Sequence, residues 1–514
     1  MKEGKAHKSP LAGYGARWTR GGLNMLQEPI RVLSKGDMEK IHAAALTILD
    51  DVGMRIDSDD ALAYLAQAGC RVQPEGMRVS FPPHIVQGCV DRMRKAYDNP
   101  ARLPERMAVR YSHIRFRREP HRIHPDFSAS AGGFCAFLYD LDGIRRPATL
   151  DDVRRSITMV NGLADITYTG LPVSDQETPF QMRPVAMAAE LAKYTSKLGG
   201  IETFKKEDIP YLIDIGTVVK GSERALREEP VLVGYAEARS PLCLDRNMVE
   251  IFMEYIRRGF PQTLDTMPNG GATVPVTAAG NLAVGVAETL GALVLAYAID
   301  EEAVVGVDII PSNADASNGM YRYASGDRMP LLVARVQMIS EYYGCPSGVH
   351  GGKTDSCFVN VQAGIEKAMS TVFPVLAGAV GIGTVGHLEN AVTFSPQQLV
   401  IDNEVIRYMR RALQPIEVTE QTLALETIRA VGIGGNYLGE QHTLEHFRGE
   451  IFFSELFETM PWSSARAPRV KGMEERAHQR ARSLWAEEPQ PILDAGQIRA
   501  IDGIVARARK EFLG

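Results

Sequence analysis

From residue 166 to residue 413 short apolar runs alternate with longer helical ones, and few folds accept that rhythm. The strand-like runs are Ile166–Leu171, Gly199–Thr203, Val231–Tyr235, Gln262–Met267, Val304–Ile309, Ser347–His350 and Val380–Val385. Between them the spacing predicts helices over Arg183–Ser196, Lys206–Lys220, Arg246–Arg258, Asn281–Ala298, Arg328–Tyr343, Val359–Phe373 and Gln397–Leu413. Units of about 30–40 residues with this alternation call for parallel strands joined by crossover helices. Seven strands, with an eighth drawn from the hairpin at 134–147 or from an irregular segment near the end, fit an α/β fold of the TIM-type (β/α)8 barrel. No GxGxxG follows the first strand, which argues against an open doubly wound sheet.

The barrel is expected over 126–413. Residues 26–125 form a mostly helical N-terminal extension. Ile41, Ala44, Ala45, Ile48, Leu49 and Val52 recur at helical spacing, Asp59–Ala68 ends at Gly69, and Pro83 opens a third helix. Residues 1–25, rich in glycine and basic residues, read as a flexible arm. Residues 414–514 read as a helical segment packed on the barrel, with helices at Gln421–Val431, Glu440–Phe457 and Ala495–Phe512. The hairpin turns at Asp142-Gly143, and Thr149 with Asp152 makes a capping box for the next helix. The helix at 281–300 is apolar on nearly every face, so another segment or another subunit must cover it; a homo-oligomer is expected.

Composition narrows the function classes. Hydrophobic residues make up 45% and charged residues 23%, an ordinary globular balance. The net charge of −6 gives nucleic acid no purchase. The longest apolar stretch, Val274–Ala298, carries Asn281 and Glu288, so no membrane span is expected. No apolar signal core follows the basic N-terminus, and six scattered cysteines contain no CxxC. Both point to the cytoplasm. The basic stretch 105–124 reads as a solvated loop or edge strand, or as a docking surface for an acidic partner or a phosphate-bearing cofactor.

In a barrel the chemistry sits at the C-terminal ends of the strands. The candidates there are Asp175, Glu202, Thr203, Glu237, Thr266, Asn269, Gly270, Gly271, Asp308, His350, Gly351, Gly352, Lys353, Asp355, His387, Glu389 and Asn390. The glycine- and proline-rich loop Pro268–Gly280 lets backbone approach a ligand closely. Tyr321, Tyr323, Phe358, Phe127 and Phe134 offer aromatic faces; a quaternary ammonium has no N–H to donate, so such faces are its natural host. His442 and His446, one helical turn apart, match an inverted zinc-protease pattern, with Glu474 or Glu475 as a third ligand; structural histidines are the plainer alternative.

Longer motifs carry a resemblance. Gly270–Gly280 followed by Ala287-Glu288-Thr-Leu, Asp140–Thr149, Gly351–Asp355 with Gln362–Glu366, Ile401–Glu404 and Gln441–Arg448 together resemble the trimethylamine methyltransferase family, from about residue 26 to the C-terminus. The resemblance implies a barrel enzyme that passes a methyl group from a methylated amine to Co(I) of a separate corrinoid protein. No cofactor is then held tightly by this chain: cobalamin comes with the partner. The founding enzymes carry pyrrolysine near the barrel centre. The corresponding stretch here, around Val349–Thr354, has none, and His350 or a neighbour stands in that region.

A quaternary amine already bears its charge and leaves as a neutral amine, so it needs no such activation. Glycine betaine or a similar compound is the expected substrate. Phe358 and Tyr321 are expected to face its trimethylammonium and His350 its carboxylate, with Glu202, Asp308 and Asp355 also in the substrate site. Asn269, Gly270 and Gly271 are expected to face the corrinoid. No metal site is expected. A zinc hydrolase using His442 and His446, or a non-catalytic quaternary-amine binder, are the competing classes.

Overall fold

The computed structural model describes residues 28–99, 103, 106–109, 112–115, 122–459 and 471–514. The arm expected over 1–25 and most of the basic stretch 105–124 lie outside the described residues. The chain divides into two compact units. The larger comprises Glu28–Arg411 with Phe453–Gly514; the other contains Ala412–Phe452.

The larger unit is α/β. One parallel sheet runs in the order Gly348–Val349, Gly381–Val385, Ser128–Ala131, Tyr168–Thr169. A second runs Ala236–Ala238, Gln262–Thr266, Val305–Val307, again all parallel. Between them the backbone stays paired but irregular. Thr169 bridges Leu198, Leu232 N–H donates to the Gly199 carbonyl, and Ile201 N–H to the Val233 carbonyl. The expected runs 199–203 and 231–235 form no regular strands: Gly199 and Gly200 open one, and the other holds Gly234 and a left-handed Leu232.

The hairpin at 134–147 does form, as Phe137–Tyr139 against Arg145–Pro147, but it joins Thr393–Phe394 rather than either parallel sheet. The strand beside Gly381–Val385 is instead Ser128–Ala131. Its Ser-Ala-Ser-Ala sequence lacks the β-branched or aromatic residues that mark a strand.

Helices follow the expected rhythm. The N-terminal extension holds α1 (Lys35–Thr47), α2 (Asp59–Gln67) and α3 (Pro83–Tyr97). Then come α4 (Leu150–Asn161), α5 (Arg183–Tyr194), α6 (Ile209–Lys220), α7 (Glu223–Glu228), α8 (Arg246–Arg257), α9 (Ala278–Ile299), α10 (Arg328–Val336), α11 (Val361–Leu376) and α12 (Pro396–Ala412). Thr149 and Asp152 form the predicted capping box on α4.

The apolar helix α9 is covered by this chain's own extension. It packs against α1, α2 and α3, and a side chain at Gly291 would run into Met54 and touch Phe81 and Leu49. The requirement for a second subunit therefore does not come from α9. It is also the one helix among the described residues long and apolar enough to cross a membrane, and 89% of its apolar window is buried.

The Ala412–Phe452 unit holds α13 (Glu420–Leu423), α14 (Leu425–Val431) and α15 (Gln441–Glu450), none of which buries a residue. Two further helices belong to the larger unit. α16 (Met473–Trp485) packs on α4, and α17 (Ala495–Leu513) on α5 and α6. The sequence pattern predicts α17 but not α16.

Candidate active site

Three loops that follow parallel strands are laced together. Asp355 accepts the backbone N–H groups of Tyr323 (2.8 Å) and Ala324 (3.3 Å). Asn390 Nδ2 donates to the Tyr321 carbonyl at 3.1 Å, while Asn390 N–H reaches the Thr354 carbonyl and Glu389 N–H the Ser356 carbonyl. Glu366, from α11, accepts from Thr354 Oγ1 (2.6 Å) and Asp355 N–H (2.9 Å). Glu389, Asn390 and Ala391 are three consecutive residues with positive φ, a costly conformation that these cross-loop bonds hold in place.

The lacing presents an aromatic platform. Tyr321 and Tyr323 stack with ring centroids 5.3 Å apart and planes 9° from parallel. The Lys353 ammonium lies 3.7 Å from the Tyr323 ring centroid, so one face of this platform already carries a cation. Beneath it, the fully buried Arg328 donates to the carbonyls of Tyr323 and Pro311. Burial pushes the Tyr321 phenol up, and the carboxylates of Glu237 and Glu288 add to the shift. Tyr235 donates to Glu202 at 3.5 Å.

The sequence-predicted residues divide by environment. Tyr321 belongs to the platform, and His350 is buried directly after the strand Gly348–Val349. Asp355 uses its carboxylate to hold the platform's backbone. Burial pushes it up, and Glu366 adds to that, while the two N–H donors oppose it. Asp308 is engaged by Arg335, which also donates to the carbonyls of Ile309 and Gly348. Its carboxylate is thereby tied to the backbone of Ile309 and of the neighbouring strand Gly348–Val349. Phe358 is 63% exposed, its ring 6.4 Å from that of Tyr139, and makes no enclosed wall. Asn269 and Gly270 are buried in a small sheet with Ser312–Ala314; only Gly271, at φ 86°, is exposed.

Two contacts are not foreseen by the sequence pattern. One is the Lys353–Tyr323 contact. The other is a buried ion pair, Lys367 from α11 with Asp402 from α12, 2.8 Å apart. His387, one of the strand-end candidates, is fully enclosed, and neither ring nitrogen has a hydrogen-bond partner. Burial drives its imidazole well below the usual range, and the charges of Lys367 and Lys353 push the same way, so it is neutral.

His442 and His446 stack at 4.3 Å on α15. Among the described residues no group of three or more His, Cys, Asp or Glu side chains is placed to hold a metal, so the zinc-hydrolase alternative gains no third ligand.

Comparison with known proteins agrees with the resemblance. The family model described as trimethylamine methyltransferase (MTTB) matches residues 19–513. Trimethylamine methyltransferase MttB of Desulfitobacterium hafniense (strain DSM 10664 / DCB-2) is 28% identical over 485 residues, covering 91% of this chain and 92% of that protein. The MttB of Methanosarcina barkeri is 28% identical over 527 residues, covering 99% of this chain and all of its own length. Glycine betaine methyltransferase of Desulfitobacterium hafniense (strain Y51) is 25% identical over 494 residues, covering 95% and 99%. With a family match over nearly its whole length, this chain belongs to the trimethylamine methyltransferase family and is a methyltransferase.

Proposed function

We propose that this enzyme moves a methyl group from a quaternary amine, glycine betaine or a close analogue, to Co(I) of a corrinoid carried by a partner protein. The observation that carries the proposal is the Tyr321–Tyr323 platform with a cation on its face, set where parallel strands end. A trimethylammonium group needs such a face, since it cannot be hydrogen-bonded. Tyr321 takes that role, with Glu202 on the cationic side. His350 donates to the substrate carboxylate. Asp355 holds the platform, Asp308 the scaffold, and Phe358 stands at the exposed rim. The loop at Asn269, Gly270 and Gly271 faces the corrinoid, with Gly271 at its surface.

The corrinoid is a substrate brought by the partner, and this chain binds no cofactor of its own. Its residues bind and orient the amine and exclude water, so that the methyl carbon is presented in line to the nucleophile. The tertiary amine departs with the electron pair of the broken C–N bond and needs no proton to do so.

The two parallel sheets are arcs of one eight-stranded barrel, with Ser128–Ala131 as the strand that the sequence pattern leaves unplaced. Support comes from the paired backbone linking the arcs through 198–201 and 232–233. The protein works in the cytoplasm, consistent with six free thiols. It assembles with copies of itself; support lies in the exposed Ile416, Leu425, Ile433, Leu438 and Leu444 of the second unit. Nucleic acid and membrane play no part.

The test is anaerobic mixing of the protein with Co(I) cobalamin and, in turn, glycine betaine, proline betaine, carnitine, γ-butyrobetaine, choline and trimethylamine. Conversion of the Co(I) spectrum to methyl-Co(III) with a quaternary amine supports the proposal. Conversion with trimethylamine alone contradicts it.

A further inference from the structure

Lys353 and His387 each come directly after a glycine with positive φ, Gly352 at 66° and Gly386 at 84°. A glycine turns easily, and with no side chain to anchor it, it does not itself fix the direction of the next residue. Both are gripped by one buried ion pair. Lys367 Nζ donates to the Gly352 carbonyl at 2.7 Å and to Asp402 Oδ2 at 2.8 Å. The same Asp402 oxygen accepts the Gly386 N–H at 2.6 Å, and Asp402 Oδ1 accepts from Gln398 Nε2 at 2.8 Å.

The tolerance at the far end is small. A Cβ on Gly133 would lie 2.1 Å from His387 Cε1, so the ring rests directly on the facing backbone. A modest turn of the peptide at Gly386 would move the imidazole into that wall or away from it.

Stability alone does not explain a buried ion pair here, because a well-packed apolar pair of similar volume is often as stable or more so. An apolar pair lacks a donor for one strand-end carbonyl and an acceptor for the neighbouring strand-end N–H. We propose that Lys367 and Asp402 are positioning residues. They lock the backbone at Gly352 and Gly386 and so aim Lys353 and His387 at the methyl-transfer site. The proposal rests on the methyl-transfer function above.

The test replaces both charges at once with Lys367→Met and Asp402→Leu. The expected protein folds with a lowered melting temperature, because the Gly352 carbonyl and the Gly386 N–H lose their partners, while kcat for methylation of Co(I) cobalamin falls about 100-fold and KM changes far less. The 15N resonances of the His387 imidazole, identified by their loss in His387→Gln, shift and broaden. Lys367→Gln with Asp402→Asn keeps a donor for Gly352 and an acceptor for Gly386 without charge, and is expected to restore most of kcat.

Wild-type kcat and unmoved His387 resonances in the apolar pair would overturn the proposal. Should the apolar pair fail to fold, the Gln/Asn pair decides: retained kcat supports positioning, and lost kcat with unmoved resonances overturns it. If wild-type protein methylates Co(I) from no amine, the proposed function fails, and the His387 resonances alone decide the clamp.

Discussion

Asp402 Oδ2 accepts from two donors at once, the Lys367 ammonium at 2.8 Å and the Gly386 N–H at 2.6 Å. The pair joins α11 to α12 behind the strand ends, and both side chains are buried. Removing one partner strands the other charge in the interior. Asp402→Ala or Lys367→Ala is therefore expected to cost about 3–5 kcal/mol of stability, measured by guanidinium unfolding. A cost below about 1 kcal/mol, the size of an exposed pair, would mean that water reaches the site.

Glu288 supplies a pH dependence. It sits inside α9, accepting from Ser240 Oγ and Leu242 N–H at 2.8 Å each, and burial pushes its carboxyl up to about 7 from 4.5. The folded protein then binds more protons than the unfolded chain between these values. Its contribution to stability is complete below pH 4.5 and is lost as pH rises through 7. The loss is about 3 kcal/mol by linkage. Glu288→Gln should flatten that part of the stability profile, as followed by urea unfolding at a series of pH values. An unchanged slope in the variant would assign the dependence to another group.

The platform predicts a binding effect. Tyr321→Leu removes one aromatic face, worth about 0.5–2 kcal/mol to a cation, so KM for a quaternary amine should rise about 2- to 30-fold. Tyr321→Phe keeps the face and should leave KM close to wild type. Equal effects of the two variants would move the role from the ring to the hydroxyl.

Gly291 marks where the N-terminal extension meets α9. A Cβ there would lie 2.3 Å from Met54 Sδ and 3.4 Å from Phe81 Cζ. Gly291→Val is expected to destabilise the protein by about 1–3 kcal/mol through overpacking, with no change in oligomeric state by sedimentation. A shift in oligomeric state would return α9 to a subunit interface.

The helices were legible because their apolar positions recur at helical spacing, and caps such as Thr149 with Asp152 mark their starts. The strands were legible only where they are apolar runs. Ser128–Ala131 hides because a strand of small residues has no β signature. The covering of α9 was open because a wholly apolar helix tells that something packs on it, not what. The candidates were legible only as residues at the ends of strand-like runs. The way their loops are tied together was not, because it depends on cross-loop bonds such as Asp355 to Tyr323 and Asn390 to Tyr321, each spanning more than 30 residues. Lys367 and Asp402 lie on helices with ordinary charged residues, and only burial sets them apart.

The proposed reaction takes a methyl group from a quaternary amine beside the Tyr321–Tyr323 stack. The most direct measurement tracks glycine betaine and Co(I) cobalamin together, by product analysis and the visible spectrum. One dimethylglycine is expected for each methyl-Co(III) formed, with glycine betaine outcompeting trimethylamine when both are present. Methyl-Co(III) arising from trimethylamine, with glycine betaine left intact, would contradict it.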